Sequence, residues 1–272
     1  MGQVGHSYLI VLYKQTLRES MAYQGIMSQL TDNEHLIIYD NSPSSMIDVE
    51  DRSIIYHHDS SNRGLAEAYN FAITKCHELG DQLLTIFDQD TTVPSNFDQV
   101  VSASITSDSE SAVFVPEVLL TNGSNLSPFW IEDSLFLAYP KKKEKTLAAI
   151  NSGMTLNLDK FSRNAVLFPR DYPLDFLDYA FFKHLNLIQK TISVIPVKLV
   201  QSLSISNYHE ISNNRFESFQ YSEAKFVSEY YPTFKRQYRF RVLLRLIKQV
   251  LKRTQWSKLR PMIQVIGGKE TL

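Results

Sequence analysis

The first half of the chain alternates short apolar runs with longer segments whose apolar residues recur at helical spacing. The apolar runs predict strands at residues 8–13, 35–39, 53–57 and 82–87. The segments with helical spacing predict helices at residues 16–30, 65–79 and 94–104. Strands that alternate with helices favour an α/β fold, with a mostly parallel central sheet and helices on both of its faces.

The second half of the chain has a less regular pattern. Short strands are predicted at 112–116, 155–158 and 193–199, and a helix is predicted at 175–187. We therefore expect an α/β domain over residues 1–210, with a first half at 1–105 and a second half at 106–210. A C-terminal helical extension is expected over residues 211–272.

Composition indicates a folded protein with a substantial core. The chain has 272 residues, of which 43% are hydrophobic and 21% are charged, and these values are typical of globular domains rather than disordered segments. The single cysteine, Cys76, excludes a disulfide framework and a zinc site built from several thiolates. Because no run of about 18 apolar residues and no signal-peptide pattern occurs, we expect a cytoplasmic protein.

Positive charge is concentrated near the C-terminal end of the sequence. The chain has 28 basic and 29 acidic residues, yet residues 235–260 contain ten basic residues and no acidic one. Apolar residues recur among these cations, which predicts a basic amphipathic helix over 238–260 that lies on an anionic membrane surface. The alternative is a helix that packs on the protein and exposes a solvated basic face. Nucleic acid is not an expected partner, because no base-reading motif accompanies the charge.

Two carboxylates stand one residue apart directly after the fourth predicted strand. Asp88 and Asp90 follow the apolar run 83–87, and alternate side chains of an extended backbone point the same way. Two like charges held close together repel each other unless a cation lies between them. Mg²⁺ and Mn²⁺ bind carboxylate oxygens and keep further positions for phosphate oxygens. The pattern predicts a metal and diphosphate site at the edge where the parallel strands end.

Polar residues also follow the second and third predicted strands. Asp40 ends the second strand, where its carboxylate can accept hydrogen bonds from a ribose or a base, although an Asx turn explains it equally well. Asn62 can cap the helix that begins at residue 65, and Gly64 lets the backbone approach a ligand closely. The N-terminus of such a helix favours anions. Asn70 is a polar residue within an otherwise apolar face of the same helix.

In their order and spacing, these segments resemble the family 2 glycosyltransferases of the GT-A fold, in particular the rhamnosyltransferase-like members. The resemblance covers residues 6–200, and the matching residues are Asp40, Asn62, Gly64, Asn70, Asp88 and Asp90. It implies that residues 1–105 bind a nucleoside diphosphate sugar, with Asp90 as the main metal ligand and Asp88 as a second ligand that faces the nucleoside. It also implies that Asp40 contacts the base or ribose, and that the other three residues shape the diphosphate and sugar pocket.

The resemblance extends to residues expected near an acceptor, in 106–210. Ser152 and Gly153 lie in 150–154, which looks like the small-residue element near the acceptor in this family. Asp175 and Asp178 lie in 174–179, which resembles a Phe-Ile-Asp-x-Val-Asp segment whose later aspartate is the general base, here Asp178. A base suits the chemistry because an acceptor hydroxyl is a poor nucleophile. The alternative is that both residues are first-turn acids favoured by the helix dipole.

Three further residues affect this expectation. Trp130 lies in an aromatic loop, 127–130, where it could stack on an acceptor sugar or a lipid-linked carrier, and packing is the alternative. Ala180 stands where the family continues with an acid after the base. Gln201 stands where a His-x-Leu-Gly segment places a histidine, and His209 could substitute for that histidine.

Together these expectations describe an inverting, metal-dependent glycosyltransferase. The resemblance implies transfer of rhamnose or another hexose from dTDP-L-rhamnose or a UDP-sugar to a growing cell-surface polysaccharide or a lipid-linked glycan. A lipid-linked acceptor would suit peripheral association with the inner face of the cell membrane through residues 235–260.

Two rival functions stay open on the sequence alone. Residues 86–92 also match the Asp-x-Asp-x-Thr motif of haloacid dehalogenase-like phosphatases, in which Asp88 would attack phosphate and Asp171 and Asp175 would form a downstream metal pair. That motif normally opens its domain, whereas about 85 residues precede it here. The second rival is a catalytically degenerate scaffold in a polysaccharide assembly complex, which Ala180 and Gln201 would support.

Overall fold

The computed structural model of the chain describes residues 4–49, 51, 53–132, 134, 136, 145–201, 212–252 and 254–269. The chain forms two compact units. The first unit comprises Met1–Phe129 and Leu147–Ser202, and the second comprises Trp130–Thr146 and Leu203–Leu272. His209, which the sequence offered as a substitute metal ligand, lies outside the described residues.

The described part of the chain contains eleven strands. In chain order, the described strands are β1 (His6–Leu12), β2 (Glu34–Asp40), β3 (Ile54–His58), β4 (Leu83–Asp88), β5 (Thr91–Thr92), β6 (Val113–Leu120), β7 (Asn125–Ser127), β8 (Phe129–Glu132), β9 (Lys145–Ala148), β10 (Met154–Asn157) and β11 (Ile192–Gln201). The large sheet has the order β3-β2-β1-β4-β10-β6-β11-β5, with β7 beside β6. β8 and β9 pair as a separate two-stranded sheet.

The strands of the large sheet are mostly parallel. β1 is parallel to both β2 and β4, and β2 is parallel to β3. β6 and β11 form a second parallel pair, and β10 runs antiparallel between β4 and β6. The carboxyl ends of the first four strands of the chain therefore share one edge of the sheet. This arrangement confirms the predicted α/β architecture.

Helices cover both faces of the large sheet. They are α1 (Met21–Ile26), α2 (Leu65–Leu79), α3 (Phe97–Ser107) and α4 (Leu177–Leu187). Tyr8, Ile10 and Leu12 of β1 pack with residues of α1 and α3 in one hydrophobic core. Successive side chains of a strand point to opposite faces, and α2 contacts β1 and β4 through a face of buried residues.

The first helix is the largest departure from the predicted elements. Only Met21–Ile26 of the predicted 16–30 is helical. Ser20 begins the helix, because its hydroxyl accepts a hydrogen bond from the Tyr23 amide. Gly25 lies near its end, where a Cβ would stand 2.8 Å from the Val93 carbonyl, so close packing requires a residue that weakens the helix. By contrast, α2 matches the predicted 65–79, and the left-handed Gly80 ends it.

The hydrophobic pattern underestimated the strands of the second half. β6 continues to Leu120 and β11 to Gln201, and β7, β8 and β9 were not predicted. Each of these last three strands is only three or four residues long. A strand of that length leaves too few positions to establish a period of two.

The second unit is largely helical. It contains α5 (Asn213–Tyr230), α6 (Lys235–Leu251) and α7 (Trp256–Ile266). The prediction of one continuous helix over 238–260 is wrong, because α6 ends at its C-cap Lys252 and α7 begins after Gln255. Tyr238 of α6 donates a hydrogen bond to Glu223 of α5 at 3.0 Å. Among the described residues, no helix combines the length and the hydropathy needed to cross a bilayer.

Candidate functional site

The carboxyl ends of the parallel strands bring the predicted strand-end carboxylates to one edge. Leu12 at the end of β1 pairs with Asp40 of β2, and Val11 pairs with Asp88 of β4. Asp40 and Asp88 therefore lie on either side of the end of β1. Open α/β sheets bind their ligands at this edge, so the register supports the position predicted for the site.

Gln201 joins the two carboxylates of the Asp88–Asp90 pair. Its Nε2 donates hydrogen bonds to Asp88 Oδ2 at 2.9 Å and to Asp90 Oδ1 at 3.3 Å. Gln201 is the last residue of β11, and the short strand β5 fixes its position. In the antiparallel β5–β11 ladder, Gln201 pairs with Thr91, the residue that follows Asp90. Ionised carboxylates only accept hydrogen bonds, so the amide nitrogen of Gln201 faces them.

Burial makes both carboxylates of this pair costly to ionise. It raises the pKa of Asp88 to about 6, and the charge of Asp90 adds to the rise, whereas the hydrogen bond from Gln201 acts in the opposite direction. Burial also raises the pKa of Asp90, again opposed by Gln201. Such a pair of desolvated acids gains from a cation that would offset their repulsion.

Ser152 and Gly153 support the loop that carries the two carboxylates. The Ser152 hydroxyl accepts a hydrogen bond from the Asp88 amide at 2.9 Å and lies 2.6 Å from the Thr91 hydroxyl. Gly153 has a φ of +80°, and a Cβ there would collide with the Leu199 side chain. The hydroxyl of Ser152 is fully buried and used within the chain. Contact of these two residues with an acceptor stays a prediction.

Asp178 stands in the first turn of α4, near Asp88. Burial raises the pKa of Asp178 to about 6, and the charges of Asp88 and Asp175 contribute to the rise, against hydrogen bonds from the backbone. The Tyr69 hydroxyl of α2 is fully buried, and the charges of both Asp88 and Asp178 act on it. The carboxylate pair and the predicted base therefore belong to one site. A carboxylate with a pKa close to neutrality suits proton transfer.

Gly64 and Asn70 contact a loop of the chain, residues 168–173. Gly64 rather than Asn62 is the N-cap of α2, so the predicted capping role of Asn62 is wrong; Asn62 is exposed, with a left-handed φ of 49°. A Cβ on Gly64 would collide with the Pro173 carbonyl. Asn70 donates to the Phe168 carbonyl at 2.6 Å and accepts from the Phe168 amide at 3.3 Å.

These contacts connect the start of α2 with residues 168–173, which lead directly into α4 and Asp178. The Leu65 amide also donates to the Pro173 carbonyl at 2.6 Å, and Arg170 pairs with Glu67 at 2.5 Å. Two of the residues predicted to bind the donor therefore position the segment that carries the candidate base. Their contact with a donor stays a prediction.

Both carboxylate oxygens of Asp40 accept hydrogen bonds from nearby residues of the chain. Its Oδ1 accepts from the Ser42 amide at 2.9 Å, the geometry of an Asx turn. Its Oδ2 accepts from the Met46 amide and from the Tyr56 hydroxyl, each at 2.7 Å. The carboxylate is also fully buried. The structure thus contains the Asx turn that was the alternative to a base or ribose contact, and that contact stays a prediction.

Unpaired buried polar atoms mark the same edge of the sheet. Within the described part of the first unit they include Asn41 Oδ1 and Gln201 Oε1. A buried polar atom without a partner costs free energy. Asn41 follows Asp40 in the sequence, and Gln201 donates to Asp88 and Asp90. Their clustering indicates a site arranged for a ligand.

A second polar cluster lies at the opposite edge, where β1 and β2 begin. His6, Glu34 and Asp98 could place one ligand atom each within 4.8 Å of one another. The Tyr8 hydroxyl lies between them, 3.0 Å from His6 Nδ1, 3.2 Å from Glu34 Oε1 and 2.5 Å from Asp98 Oδ1. Burial lowers the pKa of His6 to about 3. The tyrosine hydroxyl lies within hydrogen-bonding distance of all three groups, although its single hydrogen can be donated to only one carboxylate at a time.

Two further residues predicted from the sequence are exposed. Trp130 belongs to the second unit, where its side chain is 53% exposed on β8, so its role near an acceptor stays a prediction. Asp171, the phosphatase candidate, is exposed in the loop before α4.

The contact of Gln201 with the two carboxylates was not predicted from the sequence. Gln201 was interpreted as a loss, because it occupies the position where the family has a histidine. Its place at the end of the last strand of the sheet was the available signal.

No protein-family model matches the chain, and no curated protein matches it. The chain is, however, similar to several solved structures. The structure of S. aureus TarS is 12% identical with a TM-score of 0.51, covering 84% of this chain and 43% of TarS. For TarS 1–349 the identity is 12% and the TM-score 0.52, covering 97% of this chain and 90% of that one. TarS 1–349 in complex with UDP-GlcNAc is 11% identical with a TM-score of 0.52, covering 97% and 91%.

At this identity the comparison shows the fold alone. The chain has the α/β architecture of GT-A glycosyltransferase structures, which confirms the predicted fold. It spans less than half of the longer TarS structure.

Proposed function

We propose that this protein is a nucleotide-sugar glycosyltransferase with an inverting mechanism. The observation that carries the proposal is the grouping of Asp88, Asp90 and Asp178 at the carboxyl edge of a GT-A sheet. One pair of carboxylates is arranged for a cation and a diphosphate. The third carboxylate stands near them with a raised pKa. These are the two chemical parts that glycosyl transfer from an activated sugar requires.

The oxygen atoms available as metal ligands at this site suit a hard divalent cation. Asp88 and Asp90 offer carboxylate oxygens, and Gln201 offers an amide oxygen that has no partner among the described residues. Mg²⁺ and Mn²⁺ prefer such oxygen ligands. When bound, the cation would neutralise charge that develops on the diphosphate leaving group. Asp90 is the main ligand in this proposal and Asp88 the second.

Asp178 is the proposed general base. The acceptor hydroxyl gives its proton to the Asp178 carboxylate while its oxygen bonds to the anomeric carbon of the sugar. The bond from that carbon to the diphosphate oxygen breaks, and nucleoside diphosphate leaves with the electron pair. Attack from the face opposite the leaving group inverts the anomeric configuration. The loop 168–173, held by Gly64 and Asn70, positions the base for this step.

A UDP-sugar or dTDP-L-rhamnose is the proposed donor. Support for a nucleotide sugar comes from the fold, because TarS 1–349 is known in complex with UDP-GlcNAc. The proposed acceptor is a growing polysaccharide or a lipid-linked glycan. Trp130, Ser152, Gly153 and Asp175 are its candidate contacts.

We also propose that the second unit contacts an anionic membrane surface. Helix α6 exposes an apolar stripe at helical spacing, formed by Phe240, Leu243, Leu244, Ile247, Val250 and Leu251, which are 37–79% exposed. Soluble helices normally bury such a stripe. The same helix has basic residues and no acidic one, which is the composition of interfacial helices.

The rival functions have less support. A phosphatase would need Asp88 as a nucleophile, whereas its carboxylate accepts a hydrogen bond from the same Gln201 amide that contacts Asp90. A degenerate scaffold would leave the raised pKa of Asp178 without a use. The discriminating experiment is a panel of donors, including UDP-sugars and dTDP-L-rhamnose, scored by nucleoside diphosphate release with Mn²⁺ or Mg²⁺ and candidate glycans. Release that needs both metal and acceptor supports the transferase; phosphomonoester hydrolysis, or donor binding without turnover, supports a rival.

A further inference from the structure

The second unit contains a cavity of about 310 Å³ that the proposed transfer reaction does not use. Its lining includes Gln220 of α5, Arg245 and Lys248 of α6, Lys252 and Thr254 after α6, and Lys258 of α7. The volume corresponds to about ten water molecules of the liquid. It is large enough for a small polar group.

The charge around this cavity is strongly positive. Arg245 is neutralised, because its Nη1 donates to both carboxylate oxygens of Glu223, at 2.8 and 2.7 Å. In the described part of the chain, neither Lys248 nor Lys252 forms an ion pair. Lys258 is only 8% exposed, although lysine is rarely buried. Lys248 and Lys252 are both exposed and lie on the same cavity, so their charges repel each other, and an anion between them removes that cost.

Gln220 adds an uncharged hydrogen-bond acceptor, its side-chain amide oxygen, to the lining of the cavity. Its side chain is 2% exposed, and its Oε1 has no hydrogen-bond partner among the described residues. A buried carbonyl oxygen without a donor is costly. Its need would be met by a ligand that brings a hydroxyl hydrogen as well as negative charge. The chemistry that fits both features is a phosphate group carrying a hydroxylated substituent.

The apolar stripe of α6 indicates where such a group comes from. The stripe runs along the helix that supplies Arg245 and Lys248 to the cavity. A small soluble phosphate would make no use of exposed Leu244 and Ile247, whereas a lipid places acyl chains beside its headgroup. We propose that the cavity binds the hydroxyl-bearing phosphate headgroup of an anionic lipid, such as a glycerol phosphodiester. This inference rests on the membrane contact proposed above and names the lipid group recognised.

The test compares vesicles of phosphatidylglycerol with vesicles of phosphatidylserine, each mixed equally with phosphatidylcholine. Both lipids carry one net negative charge, but only the first offers free hydroxyls and no ammonium group. Sedimentation with the full-length protein should show at least about fivefold tighter binding to phosphatidylglycerol, the effect of about one hydrogen bond. Equal binding to both kinds of vesicle would overturn the headgroup site, while leaving membrane contact intact. Failure to bind either would overturn both proposals.

Two variants assign the preference to the cavity. The double variant Lys248→Gln, Lys252→Gln should weaken phosphatidylglycerol binding about tenfold to thirtyfold and remove the preference. The control, Arg236→Gln with Arg260→Gln, removes the same charge outside the cavity lining, and should weaken both vesicles while keeping the preference. Gln220→Leu should abolish the preference alone. A preference that survives in both cavity variants would contradict the proposal, and the exposed lysines keep this test valid if Gln220→Leu misfolds.

A titration with a soluble ligand distinguishes a lipid headgroup from a free phosphate as the occupant of the cavity. Titration with sn-glycerol 1-phosphate should show weak binding that the lysine double variant removes. Leu244→Ser with Ile247→Ser should then lose vesicle binding but retain glycerol phosphate binding. If these apolar changes leave vesicle binding untouched, the cavity serves a soluble phosphate and the lipid source is wrong.

Discussion

The acidic edge of the sheet and the basic cavity of the helical unit both concentrate charge of one sign, but their charged side chains differ in position and exposure. Asp88 and Asp90 lie at strand ends, desolvated and bridged by the Gln201 amide. The cavity lysines Lys248 and Lys252 are exposed and lie near the end of a helix. Each region also has a glutamine with an unpaired Oε1. Two partly buried carboxylates held by one amide favour a small cation, whereas exposed lysines on flexible stems suit a phosphate at a membrane surface.

The largest effect is expected from removing the proposed base. Asp178→Asn should lower the rate of transfer about 10²- to 10⁴-fold, because it removes proton acceptance from the acceptor hydroxyl. Donor and metal binding should be unchanged, since the diphosphate site lies at Asp88 and Asp90. Steady-state kinetics combined with donor titration would check this split. Transfer at the wild-type rate would rule out Asp178 as the base.

The next effect concerns the cation itself. Asp90→Asn should weaken Mn²⁺ binding about a hundredfold, because a charged ligand becomes neutral and the repulsion that favours a cation is lost. Calorimetry with Mn²⁺ alone would measure it. The control Asp32→Asn changes an exposed acid outside the site and should have no effect. Undiminished Mn²⁺ affinity in the Asp90 variant would show that the acidic edge is not the metal site.

A stability effect distinguishes the buried acids from the exposed cations. The pKa of Asp178 is raised from 3.8 to about 6 in the folded protein. As pH rises from about 4 to 6, the unfolded state loses this proton first, so the wild type loses stability across that window. Asp178→Asn should therefore be more stable by about 1–3 kcal/mol at pH 7.5 and equal at pH 3.5.

Urea unfolding at the two pH values measures this difference. Asp32→Asn should show no such gain, because that side chain is exposed. Replacing both cavity lysines by glutamine should likewise change stability little, since surface charges contribute little to folding. A pH-independent effect of Asp178→Asn would mean that its carboxylate is not desolvated as described.

The smallest effect tests the bridging glutamine. If the unpaired Oε1 of Gln201 can turn towards a bound cation, Gln201→Leu should weaken Mn²⁺ binding about tenfold, and Gln201→Glu should strengthen it. If Gln201 only donates to the carboxylates, its removal should instead strengthen Mn²⁺ binding, because a competing donor is lost. Gln220→Leu, which changes a buried glutamine in the second unit, is the matched control. The sign of the change, measured by calorimetry, decides between the two roles.

The sequence predicted the acidic edge well because local signals define it. Apolar runs mark the strands, and parallel strands end at one edge, so Asp88 and Asp90 could be placed there from spacing alone. Asp178 was proposed as the base through its resemblance to a short family motif, and that role stays a prediction. Gln201 could not be interpreted, since its contact with Asp88 depends on a pairing between β5 and β11 that spans more than a hundred residues.

Other residues show why local motifs mislead. Asn70 and Gly64 have the pattern expected near a ligand, but they contact residues 168–173, which no local signal connects to α2. In the second unit, the amphipathic pattern of α6 is the same whether its apolar stripe is buried or exposed. Only the packing of Tyr238 and Val242 into the unit determines that the stripe with Leu244 and Ile247 faces outwards.

The most direct test of the central claim is a titration of UDP into the wild-type protein, with and without Mn²⁺. A metal and diphosphate site at Asp88 and Asp90 predicts that Mn²⁺ tightens UDP binding at least about tenfold. It also predicts that Asp90→Asn abolishes the gain. The same UDP affinity with and without metal, or a gain that persists in the Asp90 variant, would contradict the account.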